Sequence, residues 1–319
     1  MYREFYGLTQ KPFSILPDPN YLYWGHGHSL AYSMLEYGVM NRAGFTVITG
    51  EIGCGKTTLI RHLLDRLDEE YTVGLVSNIQ DGELLQWVLM AFGQPYEGKT
   101  HVALHDQLQQ FLINEYAAGK RTILIVDEAQ NLGPSLLEQL RLLSNINADN
   151  DQLLQLILVG QPQLKGLLQA PELEQFVQRI ASDFHLVPLT AEDIDVYIRH
   201  RLSIAGRELP LFTKGACEKL FEATRGIPGV INILCDTCLV YGFARMAPEI
   251  DAEIVDEVIA DKRKHGIFDI GGPKKSEPEE KAAALETSEH ATAEEEKPAL
   301  VIHDKELAKL IFKKLRSQP

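Results

Sequence analysis

Lys56 and Thr57 belong to a run, Gly50-Glu51-Ile52-Gly53-Cys54-Gly55-Lys56-Thr57-Thr58, that fits the spacing G-x-x-x-x-G-K-[ST]. These residue types suit a polyphosphate. The glycines let the backbone curl until successive N–H groups point inward and line a nest for phosphate oxygens. A helix beginning near Lys56 adds the positive end of its dipole. Lys56 reaches the β- and γ-phosphates of a nucleoside triphosphate, and the Thr57 hydroxyl takes a place on Mg2+. Positions 50–58 are therefore the candidate ATP-binding residues.

A second run, Ile123-Leu-Ile-Val-Asp127-Glu128, carries an apolar stretch into two carboxylates. Carboxylates behind a buried strand are costly unless a cation stands beside them. Asp127 is read as holding Mg2+ through water, and Glu128 as orienting and polarising the water that attacks the γ-phosphate. Together the two runs predict ATP hydrolysis. Gln161 follows another apolar run, where its amide would touch the γ-phosphate or the water. Asn78 either turns the chain after a strand or reaches Glu128 and holds it back until a partner binds. Arg179 is either a solvated arginine or a finger that completes the site of a neighbouring subunit. Arg141 reads as a surface ion-pair former.

The elements that must position these groups are legible from periodicity. Phe45–Thr49, Thr72–Asn78, Arg121–Asp127, Leu154–Val159 and Asp183–Val187 read as five strands. The continuous rather than alternating apolarity of the run from Arg121 predicts a strand covered on both faces. Helical spacing separates the strands, over Leu84–Phe92, Val102–Tyr116 and from Pro134 to about Asn145. This predicts a parallel α/β sheet with its ligand at the strand C-termini. Before it, residues 1–41 form a proline- and aromatic-rich strap, packed across the nucleotide domain with a role in holding the base, and a helix over Ser29–Asn41. The nucleotide-binding core is assigned to 42–189. From Thr190 strands cease and a capping box, Thr190 to Asp193, opens a run of helices, so 190–265 reads as an all-helical unit.

Residues 266–303 are a linker, with eight acidic residues against one lysine between Glu277 and Glu296. Over 304–319, Leu307, Leu310, Ile311 and Leu315 share one side of a short basic amphipathic helix, which is expected to dock on a partner or an anionic membrane surface. The net charge of −14 resides mostly before residue 266, since residues 266–319 hold 9 basic and 11 acidic residues. That disfavours a broad nucleic-acid-binding face. Four cysteines are too few for a disulfide scaffold, and Cys235-Asp-Thr-Cys238 reads as core thiols. The N-terminus lacks the layout of a signal peptide and no run is long enough to span a membrane, so the expected location is cytoplasmic, with recruitment to the inner face of the inner membrane through a partner or the tail.

Phe5-Tyr-Gly-Leu with Lys11-Pro-Phe13 and Pro17-Asp-Pro19, Val126-Asp-Glu-Ala-Gln-Asn131, Leu140-Arg-Leu-Leu-Ser-Asn145, Val159-Gly-Gln-Pro-Gln-Leu164 and Gly226-Ile-Pro-Gly-Val-Ile-Asn-Ile-Leu-Cys235 together resemble AAA+ ATPases of the bacterial family that includes general secretion pathway protein A. The resemblance covers about Met1–His265. It implies a P-loop AAA+ domain with a parallel five-stranded sheet followed by a small all-helical lid domain, assembly into a homo-oligomer, and service to an envelope secretion or polysaccharide-export machine. It also implies roles for Asp127, Glu128, Gln161 and Arg179 as above. Two departures stand out. The family usually reads Gly-Ile-Pro-Arg, with that arginine on the nucleotide; here Gly229 takes its place, with Arg225 nearby. Secretion-type members carry a membrane span and a wall-binding domain after the ATPase, where this chain has an acidic linker and a basic helix. The look is nearest to the ATPases found with exosortase (PEP-CTERM) and exopolysaccharide systems. Other readings are a DNA-linked ATPase, like the transposition helpers of the same clade, and a slow nucleotide-sensing scaffold.

Overall fold

Phe45–Gly50 is buried at all six positions and Leu154–Gly160 at all seven, and these two runs lie side by side in the middle of the structure. In the computed structural model, residues 1–77, 79, 84–148 and 151–265 are described. In chain order, α1 (Tyr2–Phe5) and α2 (His26–Met40) precede β1 (Phe45–Gly50). Then come α3 (Lys56–Arg66), β2 (Tyr71–Ser77), α4 (Leu84–Ala91), α5 (His101–Ala117), β3 (Arg121–Asp127) and α6 (Pro134–Leu143). A small hairpin, β4 (Asn147–Ala148) and β5 (Asp151–Gln152), leads into β6 (Leu154–Gly160), α7 (Pro162–Leu168), α8 (Glu174–Val177) and β7 (Ile180–Leu186). Four helices end the described chain: α9 (Ala191–Ile204), α10 (Lys214–Thr224), α11 (Pro228–Ala244) and α12 (Ala252–His265).

The main sheet has the order β2-β3-β6-β1-β7, and every neighbouring pair is parallel. Side chains alternate between its faces. Leu124, Val126, Leu156 and Leu158 enter the apolar cluster shared with α4–α7. Ile123, Ile125, Ile157 and Val159 enter the cluster shared with α2 and α3. Both faces are apolar because both are covered, which is why β3 reads as an unbroken apolar run. At about 1.5–3 kcal/mol for each large apolar side chain buried, these two layers supply much of the drive for folding. β3, β6 and β1 are adjacent, so the loops that leave their C-terminal ends share one rim.

Several elements differ from the sequence expectation. α2 starts at His26 rather than Ser29, and it buries Ala31, Leu35 and Val39 while Leu30 is exposed. β7 begins three residues earlier than expected; as an edge strand it has an irregular burial pattern that hides its length. The short α7 begins directly after Gln161, with Pro162 in its first turn. The expected capping box at Thr190 and Asp193 is present, and Thr213 caps α10.

The strap runs elsewhere than predicted. Tyr6, Leu8 and Phe13 join the apolar cluster of α9–α12 rather than the two clusters of the main sheet. Tyr2 donates to Asp236, Tyr6 to the Ala247 carbonyl, and Arg207 to the Tyr6 carbonyl. Its aromatic spacing announced burial but carried no period to say against which face. At Pro17 the strap is tied to the core, where Arg61 of α3 donates to the Pro17 carbonyl. Asn78, the linker 266–303 and the basic segment 304–319 lie outside the described residues.

Candidate functional site

The loop between β1 and α3 wraps around its own lysine. Gly53 and Gly55 take φ of 82° and 97°, the left-handed region that L side chains avoid, so the loop can turn inward before α3 begins at Lys56. Lys56 is 7% exposed, and its Nζ donates to the carbonyls of Gly50 at 2.7 Å and Glu51 at 3.0 Å. Burial lowers its pKa, while nearby Cys54, Glu128 and Asp127 oppose that shift. His28 of α2 supports the loop from behind: its Nε2 lies 2.9 Å from the Cys54 carbonyl. Burial lowers the pKa of this imidazole, so the neutral ring donates its N–H there. The Cys54 thiol is buried and pushed up to about 11, which leaves it inert.

Asp127 ends β3 and Glu128 follows it. Burial raises the Asp127 pKa, against hydrogen bonds from the Glu128 backbone N–H and the Thr57 hydroxyl. Burial and the neighbouring Glu128 disfavour the negative charge on Asp127, while Lys56 and the Thr57 hydroxyl favour it, and a divalent cation would favour it further. Among the described residues no cluster of three or more His, Cys, Asp or Glu side chains could hold a metal. Asp127 and Thr57 are the residues that could hold Mg2+, an ion usually bound by one or two protein groups together with phosphate oxygens and water.

Glu128 takes φ of 54°, uncommon for a residue with a side chain and worth about 1–3 kcal/mol of strain. Its Oε2 accepts from Gln130 Nε2 at 2.5 Å and from Gln161 Nε2 at 3.1 Å. Gln161 thus stands at the rim, as the N-cap of α7, but its amide is on Glu128. Arg179 is not brought to this site. It precedes β7, at the end of the sheet opposite Gly50, and donates to Ser144 and Asn145. Arg141 is engaged by Glu138 at 2.6 Å.

A cleft of about 270 Å³ lies over the loop. Its walls include Leu16 and Tyr21 from the strap, Lys56 and Glu128 from the core, and Arg201 and Gly229 from the helical unit. The Gly229 N–H donates to the Gly53 carbonyl at 2.9 Å, and a Cβ at 229 would lie 3.1 Å from Gly53 Cα. The start of α11 therefore rests directly on the glycine-rich loop, so close that a side chain at 229 would require the loop to give by a few tenths of an ångström. Arg225 ends α10 in the left-handed conformation.

Arg201, missed in the sequence, is 6% exposed. It donates from Nε to the Pro12 carbonyl at 2.6 Å, from one terminal nitrogen to Tyr197 Oη at 3.1 Å and from the other to the Ser14 carbonyl at 3.3 Å. Its guanidinium carbon lies 4.6 Å from the Tyr21 ring centroid. Gln130 was also missed, although it lies two residues beyond Glu128; nothing in a lone glutamine marks it as a partner of that carboxylate.

The AAA domain family model matches residues 39–168. General secretion pathway protein A of Aeromonas hydrophila is 40% identical over 277 residues, which are 85% of this chain and 51% of that protein. The chain thus spans about half the length of this relative. Among solved structures, the ORC2 protein of Aeropyrum pernix in its ADPNP–ADP complexes gives a TM-score of 0.59 at 16% identity, over 79% of this chain and 71% of that one. Cdc6p of Pyrobaculum aerophilum gives 0.55 at 14% identity, over 80% and 70%. At such identities the likeness concerns the fold. The parallel sheet, the glycine-rich loop and the helical unit over it define the class: this is an AAA+ protein. Within that class the chain belongs to the family of general secretion pathway protein A.

Proposed function

We propose that this protein binds ATP with Mg2+ and hydrolyses it, working in a homo-oligomer as the motor or switch of an envelope secretion machine, with exopolysaccharide assembly as the pathway. The observation that carries the reading is the convergence of Lys56, Thr57, Asp127, Glu128 and Gln161 on one rim, at the ends of three adjacent strands, beneath a helical unit that touches the loop.

The loop N–H groups and the α3 N-terminus hold the phosphates, and Lys56 leaves its loop carbonyls for the β- and γ-oxygens. Asp127 and Thr57 would hold Mg2+, which would supply positive charge to offset the negative charge of the phosphates. Glu128 orients a water in line with the γ-phosphorus and takes its proton as the new P–O bond forms. The bond to the β-phosphate oxygen breaks, and ADP leaves with phosphate. Gln161 stabilises the transferring group with the amide that otherwise rests on Glu128. Leu16 and Tyr21 of the strap supply the wall for the base. The segment 304–319 would give the contact with a partner or membrane. Among the described residues no helix is long and apolar enough to cross one.

Glu128→Gln keeps nucleotide binding and loses turnover by about 100-fold or more, the usual worth of a general base. Phosphate release and binding of a fluorescent ATP analogue measure the two; a variant that hydrolyses at the normal rate would remove Glu128 from its role. The same variant, locked on ATP, is the bait for the partner in native membranes. A slow nucleotide-sensing switch is the second reading, favoured by Gly229 and by the two amides on Glu128. It requires slow turnover that stays slow when the partner is added.

A further inference from the structure

The carboxylate on which the proposed hydrolysis turns is held in a closed ring of hydrogen bonds. Glu128 Oε2 accepts both the Gln130 amide at 2.5 Å and the Gln161 amide at 3.1 Å. Gln130 Oε1 in turn accepts the backbone N–H of Gln161 at 2.9 Å. The ring fixes the polarity of Gln130: reversed, its amide would set NH2 against an N–H and oxygen against a carboxylate. Gly160, which ends β6, is closely packed here: a Cβ on it would stand 2.8 Å from Leu164 Cδ2 and 3.0 Å from Gln130 Oε1. Gln130 itself lies in the short turn Ala129–Asn131 that follows the left-handed backbone of Glu128.

We propose that Gln130 is a positioning residue for the hydrolysis: it anchors Glu128 Oε2 so that Oε1 is presented to the attacking water. The inference rests on Glu128 acting as the base. Both amides cannot do the same work through a turnover. When Gln161 turns to the γ-phosphate, its hydrogen bond to Glu128 is given up. The Gln130 bond needs no such release, because its oxygen is held by the Gln161 backbone rather than by the Gln161 side chain. Gln130 therefore keeps the base aimed while Gln161 is engaged elsewhere, and the two glutamines link the ends of β3 and β6 into one unit.

The test compares the full-length wild-type protein with Gln130→Met and Gln130→Ala in steady-state ATP hydrolysis and ATP-analogue binding. Methionine fills a similar volume but donates nothing, so it separates the hydrogen bond from packing. Loss of a hydrogen bond to a charged group predicts a fall in kcat of about tenfold or more for both variants, with KM and analogue affinity within about twofold of wild type. Gln130→Glu, which cannot donate to a carboxylate, should be equally slow. Three results would overturn the proposal: Gln130→Met turning over at the wild-type rate, a rise in kcat, which would make Gln130 a brake, or a rise in KM at constant kcat. Glu128→Gln run alongside keeps the two readings apart. If that variant turns over normally the base itself is misassigned, whereas its inactivity beside an unaffected Gln130→Met removes only the role of Gln130.

Discussion

Lys56 illustrates how one residue serves two partners. It is buried, and in this structure its charge rests on two carbonyls of its own loop. Lys56→Ala removes the cation that would pair with the β- and γ-phosphates, and no other lysine or arginine was placed there by the sequence or appears on that loop. ATP-analogue binding should be lost, and titration of the variant at wild-type affinity would refute this. Asp127 shows a second tension. Burial raises its pKa above the ordinary 3.8, so the folded state holds its proton more tightly than the unfolded chain does. The sign follows: its stabilising contribution is present at acid pH and is lost as pH rises through the folded pKa. Asp127→Asn should thus melt at a higher temperature than wild type at neutral pH without nucleotide. The gain should shrink toward about pH 4, and Mg2+-dependent nucleotide binding should be lost. Melting curves across that range decide it; a variant that melts lower at neutral pH counts against the account. Such exchanges of stability for function are common at sites that gather charge.

At the scale of elements, the strap and the helical unit act together on the cleft. Arg201 in α9 holds the carbonyls of Pro12 and Ser14, while Arg61 in α3 holds that of Pro17. The strap between these anchors spans from the helical unit to the core along the cleft wall. Among the described residues no carboxylate forms an ion pair with Arg201, so carbonyls and the Tyr21 ring carry its solvation. Arg201→Ala strands these acceptors and should cost about 3 kcal/mol of stability. It should also weaken binding of an ATP analogue several-fold while leaving inorganic tripolyphosphate binding unchanged, since the phosphate loop is untouched. Equal losses for both ligands would show that the strap does not serve the base. The start of α11 gives the helical unit a second contact beside the cleft, through the Gly229 N–H donating to the Gly53 carbonyl of the glycine-rich loop.

At the scale of the whole molecule, Arg179 is the residue out of place. It lies one strand length, roughly 20 Å, from Gly50, so it cannot reach the phosphates bound by its own chain. If it acts on a nucleotide, that nucleotide belongs to a neighbouring subunit, where an arginine finger is worth about 10³–10⁵ in rate. Mixing Arg179→Ala with Glu128→Gln subunits should then restore hydrolysis, because some shared sites regain both residues. Phosphate release from oligomers proven to be mixed is the measurement, and silence in them would leave Arg179 with its bonds to Ser144 and Asn145 as its whole role.

What the sequence by itself determined is local. A phosphate loop is built from consecutive residues, so Gly50–Thr58 was readable with its strand before and helix after, and the carboxylates at 127 and 128 were readable from the apolar run they end. The alternation of strand and helix runs likewise predicted a parallel sheet, and the unbroken apolarity of the run from Arg121 predicted cover on both faces. What tertiary structure alone decided is non-local. Gln130 meets the Gln161 backbone across 31 positions, and Arg201 meets Pro12 across 189. No spacing rule links such pairs, since each bond exists only once β3 lies beside β6, or once α9 lies beneath the strap. The strap was legible as buried but not as part of the helical unit, because irregular aromatic spacing records that a segment packs without recording on what.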